Sequence, residues 1–360
     1  MAAPTRFLQD ILRQPAELQR AIHYLTGPGR NLLERAESEV LKARHVFVTG
    51  IGASWHAALS ADALFQLAGY PVYMREAAEL LHFTEIPRGS VLVAVSRSGR
   101  SVEIVQLLAK ARRSGTTVVG ITNSPESPLA QESAIPIVIP VSLDYAISVN
   151  TYSTLALAVS AVASSAMAGF ETVAPTLSRA VSEMGPCLAT WQNQLAESNW
   201  LEPGRPYYFL ARGTSLGTCQ EARLLWEEGV KMPATAMSTG AFRHGPQEIV
   251  TEGMRFGIWI DPSQMRDEDL AVAQDLRRLG ASVMLVGERL PEDAGDLVCQ
   301  LPPSPPHWQF AIDVIPAQLA AERLATLRRV DCDSLRICSF VVEDEYGLLK
   351  RKAEVPQNAD

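Results

Sequence analysis

Two stretches of this chain carry one signature: a short β-branched run stopped by glycine, a glycine–serine turn, then a helical pattern. In the first, His45-Val46-Phe47-Val48-Thr49-Gly50 leads into Gly52-Ala53-Ser54 and a helical spacing that reaches Leu67. In the second, Tyr207 to Ala211 leads into Gly213-Thr214-Ser215. Downstream, KARRSGTTVVGIT (110–122) is echoed by DLRRLGASVMLVG (275–287), with Gly115 matching Gly280. The near-constant spacing of the two echoes marks an internal duplication. Within the first copy Val91–Val95, Thr117–Thr122 and Ile135–Ile139 read as further strands, and Val102–Arg113 as a helix. Near-continuous apolar strands alternating with helices specify a parallel sheet covered on both faces. At 360 residues the chain is long enough for two such units.

Charge narrows the partners. Lysine and arginine number 32 against 40 acids, a net charge of −8. A nucleic-acid surface needs concentrated positive charge and is not expected; a small anion held in one local cradle is compatible with the balance. The first residues, MAAPTRFLQD, lack the apolar core of a signal peptide. Leu155–Phe170 is too short for a membrane span and rich in alanine and serine. Segment 154–168 can serve either an intrachain core or a subunit interface. No membrane association is expected, and the location expected is cytoplasmic. The five scattered cysteines form no CxxC pair, and no two histidines have HExxH spacing, so neither disulfides nor a metal are expected. GIGASW is not a dinucleotide fingerprint, because Trp55 stands where GxGxxG needs glycine. No cofactor is expected.

The duplication also locates the chemistry. After the strand 91–95 comes Ser96-Arg97-Ser98-Gly99-Arg100-Ser101; its counterpart in the second copy is Asp261-Pro262-Ser263-Gln264-Met265. Serine hydroxyls on a glycine-permitted turn at a helix N-terminus suit a phosphate. In the second copy Asp261 repels an anion and Pro262 removes a backbone donor. Further on, Glu221 and Glu228 in QEARLLWEEG are two helical turns apart and share a helix face, whereas Glu227 points to solvent or a salt bridge. A carboxylate with its pKa lifted by partial burial can accept and return a carbon-bound proton. His244, in the rigid turn RHGP, can present an imidazole to a cleft.

The SRSGRSVE run, GIGASW and RHGP together resemble the tandem sugar isomerase (SIS) domain family. The likeness extends to the isomerase half of glucosamine-6-phosphate synthases (glutamine–fructose-6-phosphate transaminases) and to SIS-type amino-sugar-phosphate deaminases, and covers about residues 8–345. It implies two tandem flavodoxin-like, three-layer α/β/α units, each with a parallel five-stranded sheet, usually in a homodimer. The layout so implied is an N-terminal helical segment (1–39), a phosphosugar-binding SIS domain (40–168) and a helical linker (169–200). A second SIS domain (201–345) comes after these, with a degenerate phosphate loop and the catalytic Glu and His, and then a tail (346–360).

By the same resemblance Ser54, Ser96, Ser98, Ser101 and Thr151 bind the sugar phosphate, and Arg97 adds positive charge where glutamine is common. Glu228 matches the glutamate that moves a proton between C1 and C2, and His244 the ring-opening histidine, contributed by the neighbouring subunit. Two departures stand out. The relatives carry a lysine in the segment matching DSLRICSFVVE, where this chain has Cys338; Arg336, Lys350 and Lys352 are the cations nearby. A glutamate before the SVNT stretch is also replaced, with Asp144-Tyr145-Ala146 in its place. No cysteine precedes Cys187, so glutamine hydrolysis is not expected. The function implied is a phosphosugar isomerase or deaminase acting on an amino-sugar 6-phosphate of the glucosamine-6-phosphate/fructose-6-phosphate type. The alternative is a non-catalytic phosphosugar sensor.

Overall fold

The computed structural model describes residues 4–345 and 347–348. Helices α1 (Arg6–Thr26) and α2 (Arg30–Lys42) lead into β1 (Val46–Thr49), α3 (Ala53–Leu67), β2 (Tyr73–Met74) and α4 (Ala77–Phe83). Next come β3 (Val91–Val95), α5 (Val102–Ser114), β4 (Thr117–Thr122), α6 (Pro128–Glu132) and β5 (Ile135–Val138). Helices α7 (Asn150–Ala163), α8 (Phe170–Ser182) and α9 (Met184–Glu197) connect to β6 (Tyr207–Ala211) and α10 (Leu216–Leu225). The rest is β7 (Thr235–Ser238), the single turn α11 (Thr239–Phe242), β8 (Arg255–Ile260), α12 (Arg266–Arg278), β9 (Ser282–Gly287), β10 (Leu297–Gln300) and α13 (Ile315–Arg328).

Every strand pairing is parallel. The sheets run β2-β1-β3-β4-β5 and β7-β6-β8-β9-β10, the same order twice, so the duplication seen in the sequence is a duplication of topology. This is the doubly wound, flavodoxin-like arrangement, in which ligands bind beyond the carboxyl ends of the strands where the order reverses. Gly52 and Gly213, at the end of the first strand of each copy, share a φ of 55°. Strands β2, β7 and β10 carry no strong signal of their own: β2 is two residues long and β7 (TAMS) is half-buried throughout.

Alternation along the strands sorts side chains between layers. Val91, Val93 and Val95 of β3 join the main core, whereas Leu92 and Ala94 pack outward with Ile104, Leu107 and Leu108 of α5. In β8, Phe256, Ile258 and Ile260 face the outer layer with Ala273 and Leu276 of α12, and Trp259 turns inward. The inner faces of both sheets therefore share one core, running from Phe7 to Cys332.

Helix α7 sits at the centre of that core, packed against α1 and α3. All its residues from Asn150 to Ala163 are buried. The Ala/Leu-rich segment is thus consumed inside the chain as far as Ser164, and only Met167 and Ala168 at its end are exposed. Among the described residues, no helix is long and apolar enough to cross a membrane.

Candidate active site

The turn between β3 and α5 is built around its own serines. Ser96 Oγ accepts from Gly99 N at 3.0 Å, Ser98 Oγ from Arg100 N at 3.2 Å, and Ser54 Oγ from Arg97 N at 3.2 Å. Each hydroxyl spends a lone pair on the loop and keeps its proton for a ligand. Gly99 has φ 60°, and a Cβ there would lie 2.2 Å from Ser127 Oγ, so the turn admits no side chain at this point. Ser101 is the N-cap residue of α5 but makes no side-chain cap bond among the described residues.

These groups line one cavity of about 190 Å³. Ser54, Ser96, Arg97, Ser98 and Ser101 stand on one side of it, Glu228 on another, and the segment Cys338–Val342 closes it. The closing segment is tied down at the loop itself: Val342 O accepts from Val102 N, the first N–H of α5, at 3.1 Å. That donor is therefore taken by the chain's own carbonyl, while the serine hydroxyls and Arg97 line the cavity. Glu103, in the first turn of α5, also lines the cavity, and burial raises its pKa.

Arg97 is half-buried and clamped. Its Nη1 donates to Ser148 Oγ and its Nη2 to Phe340 O, both at 2.9 Å. Burial pulls the guanidinium below the usual arginine range, opposed by the negative charges of Asp144, Glu228 and Glu221. A half-buried cation of this kind gains from an incoming anion.

Glu228 lies just past α10, in a π-helical turn spanning Trp226–Val230. The sequence spacing assumed a continuous α-helix; the wider turn changes the direction in which Glu228 is presented. Glu221, still in the α-helical part, is buried and accepts from His56 Nδ1 at 2.8 Å. Glu228 reaches the cavity, and Glu227 is exposed and paired with Arg223 at 2.7 Å. Burial first, and then the charge of Glu221, push the Glu228 carboxyl up to about 7; Arg97 and Lys231 pull the other way. A carboxyl titrating near neutrality can both take and return a proton.

Two of the residues singled out from the sequence are not in this cavity. The side chain of Thr151 is fully buried and its hydroxyl donates to Asp144 Oδ2 at 2.6 Å. Asp144 also accepts from the N–H groups of Val149, Asn150 and Thr151, and so caps the start of α7. Thr151 is spent on that cap instead of on a ligand. His244 sits on the exposed turn after α11 and does not line the cavity of its own chain.

Cys338 lines the cavity at the place where the lysine was expected. Lys350 and Lys352 lie outside the described residues. Arg336 lines an adjoining cavity of about 350 Å³ that shares Glu228 and Cys338 with the first. Lys231 also lines it, and its ammonium donates to the carbonyls of Glu228 and Ser334. Ser148, Phe340 and the His56–Glu221 pair escaped the sequence reading. Their partners are remote in the chain, and no local pattern in the sequence joins them.

The matching loop of the second copy is closed on itself. Asp261 Oδ1 accepts from Ser263 N, Ser263 Oγ and Gln264 N, each at 2.8 Å. Its own carboxylate occupies the donors that an anion would need.

Residues 39–166 match the SIS domain family. The chain is 26% identical to glutamine–fructose-6-phosphate aminotransferase (isomerizing) of Pyrococcus horikoshii, over 89% of this chain and 54% of the relative. With the enzyme of the same name from Thermococcus kodakarensis it is 24% identical over 92% of this chain and 57% of the relative. It thus spans about half the length of these curated relatives. Among solved structures, the C-terminal domain of glucosamine-fructose-6-phosphate aminotransferase from Francisella tularensis superposes with a TM-score of 0.79 and 20% identity, covering 92% of this chain and 98% of that one. Glucosamine-6-phosphate deaminase from Thermotoga maritima gives 0.76 and 22%, covering 94% and 99%. Tagatose-6-phosphate ketose/aldose isomerase from Escherichia coli gives 0.79 and 19%, covering 92% and 96%. The SIS match falls on residues 39–166, the copy of the repeat that carries the serine-lined loop.

Proposed function

We propose that this protein isomerises or deaminates a sugar phosphate, with an amino-sugar 6-phosphate of the glucosamine-6-phosphate type as its substrate class. The observation that carries the reading is one cavity lined both by a serine hydroxyl cradle and by a carboxyl held near neutrality, Glu228. In this reading Ser54, Ser96, Ser98 and Ser101 hold the phosphate, and Arg97 supplies the positive charge beside it. Thr151 acts only through Asp144, which orders the chain next to Ser148. With the phosphate fixed, C1 and C2 of the open-chain sugar lie toward Glu228.

Glu228 then takes the proton from C2, leaving an enol or enolamine, and returns it to C1. For a 2-amino sugar the product is a ketimine; water adds to its carbon, ammonia leaves, and a ketose phosphate remains. The relatives named for deaminase and isomerase reactions support both outcomes of the same proton shift. The partner's His244 would open the ring, which makes the working unit a homodimer. The layout that goes with this reading is a phosphosugar-binding domain over 40–168 and a domain carrying Glu228 and His244 over 201–345.

A second reading has one observation in its favour. Cys338 faces the cavity where the resemblance placed a lysine, and a chain without that cation could bind a phosphosugar as a sensor without turning it over. Mixing the purified protein with glucosamine 6-phosphate and following ammonia and fructose 6-phosphate separates the two. Catalytic release of both supports the enzyme; saturable binding with no turnover supports the sensor.

A further inference from the structure

Helices α3 and α10, one from each copy of the repeat, cross at Gly217. A Cβ on Gly217 would lie 2.4 Å from His56 O and 3.2 Å from Ser60 Oγ, so only glycine lets the two backbones come this close. One turn further along α10, on the same face, is Glu221. The close approach is what brings the His56 ring within 2.8 Å of the Glu221 carboxylate. Both residues are buried, at 5% and 1% exposure. A buried carboxylate needs such a donor, or it is left as an uncompensated charge.

The chemistry assigned to Glu228 makes no use of His56. Yet His56 shares α3 with the cavity-lining Ser54, and Glu221 acts electrostatically on both Glu228 and Arg97. We propose that His56 is a positioning residue: its hydrogen bond holds the Glu221 carboxylate in place and thereby sets the acid–base behaviour of Glu228. The inference rests on the reading of Glu228 as the proton-transfer group. It assigns the first copy a second duty besides holding the phosphate, because His56 lies on the same helix as Ser54, two residues away.

The other charged and titratable groups around the pair belong to separate elements. The charges of Glu221 and of Asp313, just before α13, both act on the buried Tyr152 of α7. Asp313 is held by Ser215 Oγ and Thr218 Oγ1, each at 2.6 Å. Arg97, Glu227 and Lys231 act on Glu228 directly, and Glu228 in turn acts on Cys338. Among the described residues, none of these groups donates to Glu221 in place of His56.

Without the His56 donor, the buried Glu221 carboxylate loses the hydrogen bond that holds it in place, its repulsion of a charged Glu228 weakens, and Glu228 ionises at lower pH. The test titrates the side-chain carboxyl carbon of Glu228 by NMR in glutamate-labelled, full-length protein, the signal being assigned by its loss in Glu228→Gln. In His56→Leu and in Glu221→Gln the midpoint falls by about one pH unit. In His56→Asn, whose amide donates from nearly the position of Nδ1, the midpoint stays near the parent value. The pH profile of solvent-deuterium exchange at C2 of glucosamine 6-phosphate moves in step.

A midpoint unmoved in Glu221→Gln overturns the inference, and that variant decides the matter if His56→Leu does not fold. A midpoint that drops in His56→Asn as far as in His56→Leu overturns the donor role. If the parent protein exchanges no deuterium while the NMR midpoint still moves as stated, the electrostatic inference stands and the catalytic reading of Glu228 is what fails.

Discussion

The Arg97 guanidinium lies 3.9 Å from the centre of the Phe340 ring while donating to the Phe340 carbonyl at 2.9 Å. One residue of the serine turn thus grips both the ring and the backbone of the segment that closes the cavity. Ser148 completes the clamp from the stretch leading into α7. Replacing Arg97 by methionine removes the charge facing the ligand and releases this segment. Affinity for a sugar phosphate, read by calorimetry, is expected to fall about 10- to 100-fold, the scale of a hydrogen bond to a charged group. Limited proteolysis between 335 and 345 is expected to speed up in the same variant.

Ser98 contributes a hydroxyl that already accepts from Arg100 N and has its proton to give. Ser98→Ala is expected to weaken phosphosugar binding by ~1–3 kcal/mol. Calorimetry with the same ligand checks it, and unchanged affinity removes Ser98 from the cradle.

Glu228 also makes stability depend on pH. Its carboxyl is raised from 4.5 to about 7 in the folded chain. Between those values the native state holds a proton that the unfolded chain has released, so the contribution of this group to stability is complete below about pH 4.5 and is lost as pH rises through 7. Glu228→Gln cannot titrate. Thermal unfolding across about pH 5–8 is therefore expected to show wild-type Tm falling relative to that of Glu228→Gln as the pH rises. A constant difference means that Glu228 titrates alike in both states.

His244 lies exposed on its turn, away from the cavity of its own chain, as it would if a second copy used it. Glu228→Gln and His244→Ala are each expected to be inactive alone. Mixed and allowed to exchange subunits, they are expected to recover part of the activity, because one of the two shared sites then keeps both parent residues. Subunit exchange confirmed by mass without return of activity means each chain completes its own site.

The strands that could be read from sequence were those whose neighbours bury both faces, such as Val91–Val95 and Thr117–Thr122, where nearly every position must be apolar or small. The serine turn was legible because its chemistry is local: three hydroxyls and a glycine within six residues. The repeat was legible because equivalent turns keep the same glycines. What escaped was held by buried or distant partners. Thr151 looked like a ligand group, but Asp144 is buried beside it and a buried carboxylate takes every donor within reach. The π-helical turn at Trp226–Val230 has no spacing signature, so the different settings of Glu221 and Glu228 emerged only from the fold. The closing of the cavity by Cys338–Val342 depends on contacts to Arg97 and Val102, far earlier in the chain, which no local pattern encodes.

The central claim is that Glu228 moves a proton at C2 of a phosphosugar held by the serine turn. Its most direct test is NMR of glucosamine 6-phosphate incubated with the protein in D2O, comparing the parent with Glu228→Gln at matched ligand saturation. Deuterium is expected to enter C2 with the parent protein, and to enter no faster than the uncatalysed background with Glu228→Gln, which still binds the sugar. Exchange at the parent rate in Glu228→Gln, or none above background in the parent, would contradict the account.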